Sequence, residues 1–308
     1  MVIQSSLILG IIEFRGVVGS IQRNSVANTE KATENRRARL EAQMLQRWGR
    51  IYLIESELTQ TLEQFLGENR LTLEELNGSQ TLQQEFLLKM FPVCLQVAQD
   101  SEAHGCFLLM TGESPEVSGN VSGFYLRDYD PSSKTADNSD LSFARCGTLL
   151  SRSLGIALSS DWTTYFSLAG NGVRKTDEFY YAPWRAAREN PEAETRNLGY
   201  WSEPFYLEDN PVCGYKAITY SIPLRRNGQV YAVFGIEISL PTLIEKYINS
   251  SDSSYLIAVE GADGGYRPIA GDGYLSSLLL SQSSFRLTET KYDNLYHVDG
   301  IPFDGKLL

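Results

Sequence analysis

The residue of greatest chemical interest is a carboxylate on an otherwise apolar strand. Glu237 stands in the run Val233-Phe234-Gly235-Ile236-Glu237-Ile238. A charge buried there is costly unless it is paired, so it serves a ligand, or it is satisfied by an internal arginine or by a place at the frayed strand end. The other acids are less specific. Asp128-x-Asp130 opens an acidic stretch, residues 128–140, that invites a calcium reading. An EF-hand loop needs glycine at its sixth position and glutamate at its twelfth, where this chain has Ser133 and Ser139. A solvated loop is expected instead. Only two histidines are present, His104 and His297, and the cysteines Cys94, Cys106, Cys146 and Cys213 show no Cys-x-x-Cys spacing. A zinc site is therefore not expected. The chain has no Gly-x-Ser-x-Gly elbow, phosphate loop, His-Glu-x-x-His or dinucleotide glycine fingerprint. No catalytic residue, metal or cofactor is assigned. Hydrolysis by a pair of carboxylates stays open as an alternative, because acids are abundant and their distances are not legible in sequence.

Composition narrows the partners. With 27 basic and 38 acidic residues the formal net charge is −11, which offers no footprint for nucleic acid. At 308 residues, 42% hydrophobic, the chain is long enough for one large domain or two unequal ones. The four cysteines allow up to two disulfides in an oxidising compartment, or free buried thiols.

These residues have to be positioned by a mixed α/β fold. Residues 2–12 are almost wholly apolar or small, and 16–21 are apolar again after Glu13 and Arg15. Residues 1–23 read as the remnant of a signal anchor, with a short buried helix or strand as the alternative. From 25 to 66 there is no proline, and Leu40, Met44, Leu45, Trp48, Ile51, Leu58, Leu62 and Phe65 recur at helical spacing. Residues 24–80 are thus expected to be a long charged stalk helix with its helical connection. Gly67 should end the long helix, and Asn77-Gly78 should close a short helical piece from Leu71 to Leu76. Thr81 to Gln99 resumes the helical period, interrupted by Pro92.

Strands are expected at Cys106–Thr111 and Gly123–Arg127. The clearest is a hairpin from Lys216 to Leu240 about Asn227-Gly228, a pair suited to a type I′ turn. Counting back from that turn pairs Arg226 with Gln229, Leu224 with Tyr231, Ile222 with Val233, Tyr220 with Gly235 and Ile218 with Glu237. This register puts Tyr220 and Glu237 on one face of a sheet buried on both sides. Residues 81–249 form the expected larger module. Residues 250–308 follow as strand, strand, helix, strand and strand, a small or partial second module.

Three blocks carry a resemblance to a known family. They are Asp177-Glu178-Phe179-Tyr180-Tyr181-Ala182-Pro183-Trp184-Arg185-Ala186-Ala187, then Leu198-Gly199-Tyr200-Trp201-Ser202-Glu203-Pro204-Phe205-Tyr206, and the two strands of the hairpin. Their order over roughly residues 10–250 resembles double-Cache sensor domains, which lie outside the membrane in bacterial chemoreceptors, histidine kinases and diguanylate cyclases. The resemblance implies two stacked PAS-like modules with antiparallel sheets and a long N-terminal helix beside both. It also implies a small-molecule pocket in the membrane-distal module. Amino-acid-binding members carry an Arg-x-Trp-Tyr element and an Asp on the last long strand. Trp184 matches the Trp and Glu237 the Asp, whereas Ala182 stands at the arginine position and Arg185 at the tyrosine position.

The expected ligand-binding residues are Tyr181, Trp184, Arg185, Tyr206, Tyr220 and Glu237, facing an amine or amino-acid-like solute. The resemblance further implies a membrane receptor with an extracytoplasmic sensor, possible homodimerisation in the full-length receptor, and an output domain absent from this chain. Alternatives are a secreted or anchored carbohydrate-active hydrolase and a surface adhesion module.

Overall fold

The structure is a computed structural model and describes residues 24, 27–28, 31–48, 50–111, 119–133, 138–159, 165–207, 215–248, 255–260, 264–272, 274–289, 296–298 and 304–305. The expected anchor, residues 1–23, lies outside them. Among the described residues no helix is long and apolar enough to cross a membrane. The chain divides into two compact units, Gln43–Leu243 and a second made of Met1–Ala42 with Ile244–Leu308.

After helical residues at 24 and 27–28, the first continuous helical run is 31–43 (α1), where Arg37 bridges Glu34 (2.6 Å) and Glu41 (3.1 Å) on an exposed, charged surface. A π-helical turn, Met44–Trp48, and a 3-10 turn, Ile51–Ile54, lead into α2 (Glu55–Asn69). Leu58, Leu62, Phe65 and Leu66 are its buried stripe. The helix runs past Gly67 to Asn69 and stops at Arg70, whose φ of 55° is left-handed. Next, α3 (Leu73–Gly78) starts with a capping box in which Thr72 and Glu75 satisfy each other's backbone N–H groups.

The expected break at Pro92 does not occur, since α4 (Gln80–Asp100) continues through it. Phe86, Leu87, Met90, Phe91, Cys94 and Ala98 are all buried along this helix, on both sides of the proline. Their burial offsets the lost backbone hydrogen bond.

A seven-stranded sheet forms the centre of the larger unit, in the order β5-β4-β3-β1-β9-β8-β7. Its strands are β1 (Gly105–Met110), β3 (Gly123–Asp128), β4 (Leu141–Cys146), β5 (Ala157–Leu158), β7 (Tyr200–Trp201), β8 (Ala217–Arg226) and β9 (Gln229–Ser239). A small pair, β2 (Gly119–Val121) with β6 (Phe166–Leu168), lies outside this sheet. All pairings in the main sheet are antiparallel except β4 with β5. One face is covered by α2 and α4, with Phe91 of α4 set edge-on to Phe124 at 5.5 Å. The other is covered by α6 (Glu178–Glu189), which packs on β8 and β9. A short helix, α5 (Thr148–Leu154), packs on α4, and α7 (Leu240–Leu243) follows β9.

The second unit contains a hairpin of β10 (Tyr255–Glu260) and β11 (Tyr266–Asp272), then α8 (Tyr274–Leu280) packed on β11. A three-stranded sheet of β12 (Leu287–Glu289), β13 (Tyr296–Val298) and β14 (Asp304–Gly305) completes it. This is the expected strand, strand, helix, strand, strand order with one further strand, β14, at its end. Leu279 and Phe285 are buried against Leu256, Ala258, Tyr266 and Leu287.

The hairpin turn is as expected, with φ of 51° at Asn227 and 78° at Gly228. Its register is not. Arg226 pairs with Gln229 and Arg225 with Val230, but Leu224 pairs with Ala232, so Tyr231 is an extra, bulged residue. Beyond the bulge every partner moves by one. Tyr220 faces Ile236, and Thr219 faces Glu237. The expectation that Tyr220 and Glu237 share a face is therefore corrected. The bulge turns Tyr231 toward α2, where it is fully buried with its hydroxyl 3.5 Å from Thr59 Oγ1.

Candidate functional site

Three strands bring a polar row onto the α6 face of the sheet. Arg127 on β3 pairs with Gly105 on β1, Gly105 pairs with Glu237 on β9, and Glu237 pairs with Thr219 on β8. Directly paired residues project to the same side, so Arg127, Glu237 and Thr219 stand in line across four strands. Arg127 and Glu237 are two strand spacings apart, about 10 Å. An arginine spans that gap only if nothing stands between. The residue between is Gly105, where an added Cβ would lie 3.4 Å from Glu237 Cβ and 2.4 Å from the Leu126 carbonyl oxygen.

Glu237 is wholly buried and fully engaged. Arg127 Nε donates to its Oε1 at 3.2 Å, and Arg127 Nη2 to its Oε2 at 3.4 Å. The Tyr125 hydroxyl donates to Oε2 at 2.5 Å and the Tyr215 hydroxyl to Oε1 at 2.5 Å. The Arg127 guanidinium also lies 4.7 Å from the Tyr215 ring centroid. Burial alone would disfavour the Arg127 charge, but the Glu237 carboxylate together with the Tyr125 and Tyr215 hydroxyls outweighs it and holds the guanidinium above its ordinary pKa. Burial, reinforced by the same carboxylate, pushes the Tyr125 and Tyr215 hydroxyls well up, so both are neutral donors. Thr219 Oγ1 ends the row, buried and without a hydrogen-bond partner among the described residues.

The neighbouring row, Tyr125, Phe107, Gly235 and Ser221, supports the first. The Phe107 ring stacks on Tyr125 at 5.2 Å and meets Phe179 of α6 edge-on at 5.0 Å. Phe166, Tyr180, Tyr181, Trp184 and Phe205 complete this aromatic cluster among the described residues. The Tyr180 hydroxyl is a second buried group without a partner among the described residues.

Of the expected site residues, the fold gathers Glu237, Tyr181 and Trp184 on the α6 side. Tyr181 is buried, edge-on to Tyr180 and Trp184. Trp184 is buried in the same cluster, with the Arg188 guanidinium 5.4 Å from its ring. Arg185, one-third exposed, pairs with Glu178 and Asn171. Tyr206 is exposed, its ring 5.7 Å from Lys216 Nζ. Tyr220 belongs to the opposite face, its ring 4.9 Å from Trp201, which in turn meets Trp48 at 6.2 Å. The partners of Glu237, namely Arg127, Tyr125 and Tyr215, escaped the reading of the sequence. A signal was present in Tyr125-x-Arg127, which puts both residues on one side of an apolar strand.

Among the described residues no group of His, Cys, Asp and Glu could hold a metal ion. Cys94, Cys106 and Cys146 are buried free thiols, and Cys213 lies outside the described residues. A separate open hollow of about 410 Å³ near the hairpin turn is lined by Glu55, Glu192, Glu194 and Arg225. There Arg225 holds Glu55 (3.2 Å), Thr195 (2.7 Å) and the carbonyls of Pro191 and Ala193 (3.0 and 2.8 Å).

No family model matches the chain, and no curated protein does. Among solved structures it is similar to the extracellular domain of a protein described as a histidine kinase, vpHK1S-Z8. That likeness has 14% identity and a TM-score of 0.41, over 78% of this chain and 70% of that one. It is also similar to the ligand-binding domain of the Pseudomonas fluorescens chemoreceptor CtaA in complex with L-leucine. Identity there is 15% and the TM-score 0.30, over 78% of each chain. A third is the ligand-binding domain of the Campylobacter jejuni chemoreceptor Tlp3 in complex with L-valine, with 14% identity and a TM-score of 0.33, over 87% of this chain and 89% of that one. The two chemoreceptor structures are ligand-binding domains, and the first is an extracellular domain.

Proposed function

We propose that the unit Gln43–Leu243 binds a small solute outside the cytoplasm, and that the chain is the sensory region of a bacterial membrane receptor. In this reading residues 1–23 derive from the anchor, residues 24–80 are the stalk and its connection, 81–249 the ligand-binding module and 250–308 a smaller membrane-proximal one. The observation that supports it is the polar row Arg127, Glu237 and Thr219, enclosed in an aromatic interior at the end of β9. Such a group of buried polar atoms inside an apolar cluster is the kind of site that orients a small ligand. Binding transmits a signal only through different affinity for two conformations. The end of β9 suits this, because the chain passes from Glu237 through α7 directly to the boundary between the compact units.

An amine-bearing solute would need a Glu237 free to receive its charge. Arg127 removes that freedom, and the solute is here a small polar molecule. The test is a thermal-shift screen of the purified chain against amino acids, amines, polyols, primary amides and carboxylates. A true ligand at a hundred times its Kd should stabilise by about 2.7 kcal/mol, a rise of several degrees for a unit this size. Absence of any saturable shift, or sustained turnover of a glycoside, peptide or ester, would overturn the reading.

A further inference from the structure

The deciding feature is that Glu237 is satisfied from within. Both of its oxygens accept from Arg127, and each also accepts a tyrosine hydroxyl. The two charges cancel inside the site, and the glycine at 105 is what lets the arginine reach. A solute cation arriving at Glu237 would have to displace a guanidinium that is already desolvated and held by the same carboxylate. It would leave that guanidinium buried beside it, an arrangement opposed by like-charge repulsion. Among the described residues, the row's one buried polar atom without a partner is uncharged, Thr219 Oγ1, directly across the ladder from Glu237. A hydroxyl both donates and accepts, so it matches a solute hydroxyl or carboxamide.

We propose that Arg127 is a specificity-determining residue that occupies, from inside the chain, the place of a ligand cation. The solute bound at this row then offers Glu237 no ammonium group and presents an uncharged hydrogen-bonding group to Thr219. This rests on the sensory reading given above and narrows its ligand class.

The experiment is cation rescue. Arg127→Ala leaves Glu237 buried without its cation and opens the volume of a guanidinium. Methylguanidinium at about 10 mM, well below denaturing concentration, should raise the melting temperature of Arg127→Ala saturably. It should leave the wild type and the Arg127→Ala/Glu237→Gln double variant unmoved. The affinity of Arg127→Ala for this probe should exceed that of the wild type by at least about tenfold. If Arg127→Ala does not fold alone, recovery of a cooperative transition with the cation and none without it is the same positive result. Failure of methylguanidinium to act in either format overturns the proposal, because the place is then not one a free cation can take.

The solute screen supplies the second readout. Hits among polyols or primary amides that weaken about tenfold in Thr219→Val, with the melting temperature little changed, support the proposal. An ammonium-bearing hit that weakens tenfold in Glu237→Gln overturns it while leaving the sensory reading standing. A screen without hits withdraws the sensory reading, and the methylguanidinium result still decides the role of Arg127.

Discussion

Gly235 is the position where one added methyl group should be felt across the whole site. A Cβ built there lies 2.3 Å from Phe107 Cζ, 2.6 Å from Phe107 Cε1 and 2.8 Å from the Tyr220 carbonyl oxygen. Neither neighbour gives way easily. The carbonyl belongs to the β8–β9 ladder, and Phe107 is fully buried between Tyr125 and Phe179. Overpacking of this kind costs about 1–3 kcal/mol. Loss of glycine's freedom in the unfolded chain returns about 0.4–1 kcal/mol. Gly235→Ala should therefore destabilise by a net of about 1–2 kcal/mol, lowering the melting temperature by roughly 2–8 °C.

The assay is urea and thermal unfolding of wild type, Gly235→Ala, Phe107→Leu and the double variant. If the clash with Phe107 is the cause, the double variant is more stable than the two single effects predict, with a coupling of about 1 kcal/mol. Wild-type stability in Gly235→Ala, or strict additivity in the cycle, refutes the reasoning. A further reading comes from Tyr125, whose ring stacks on Phe107 and whose hydroxyl holds Glu237. Its environment, followed by near-ultraviolet circular dichroism, should change in Gly235→Ala and return in the double variant.

Other outcomes follow from the same structure. Burial raises the Asp128 carboxyl from 3.8 to about 6, against the lowering effect of the Asp130 N–H that it accepts. The folded state therefore holds a proton that the unfolded chain releases, and the stability tied to it, complete below about pH 4, is lost as pH rises through 6. Asp128→Asn should flatten that slope in pH-dependent urea titrations; an unchanged slope would place the proton elsewhere. Arg225→Ala strips four partners from α2 and the 191–195 segment and should cost about 1–3 kcal/mol. Increased proteolytic cutting near Glu192 would report the released segment, and none is expected in Arg225→Lys if charge alone matters. Cys94, Cys106 and Cys146, with pKa values raised by burial, should resist a thiol reagent until the chain unfolds. Rapid labelling of these three in the native state would contradict their burial.

The sequence made the elements legible but not the way they meet. Asn227-Gly228 announces its turn because both residues accept positive φ, a property of the residues themselves. The bulge two residues into β9 is decided by Tyr231 reaching Thr59 on α2, a contact spanning 172 positions that no local pattern records. That one residue reversed the expected side of Tyr220. Similarly, Glu237 is visible as an unusual acid, whereas its partner Arg127 stands 110 positions earlier. Trp184 and Tyr181 point inward as the periodicity of α6 suggests, with Arg185 turned away to Glu178. Propensity alone places a break at Pro92, but the residues buried on either side of it carry the helix through.

The seven-stranded sheet tapers at its margins, and this governs how it meets other chains. Its two outermost strands, β5 and β7, contain two residues each, although β8, just inside, has ten. The first part of the rim of β8, Ala217–Thr219, is closed by an irregular strip instead of a strand. Ser202 donates its N–H to the Thr219 carbonyl and receives the Thr219 N–H on its hydroxyl, and Phe205 exchanges both backbone bonds with Ala217. Pro204 lies within that strip and has no N–H to offer a newcomer. Among the described residues, the backbone groups of Ala217 and Thr219 on this rim are already bonded, so an incoming extended peptide cannot pair with them, and strand-by-strand growth is hindered there.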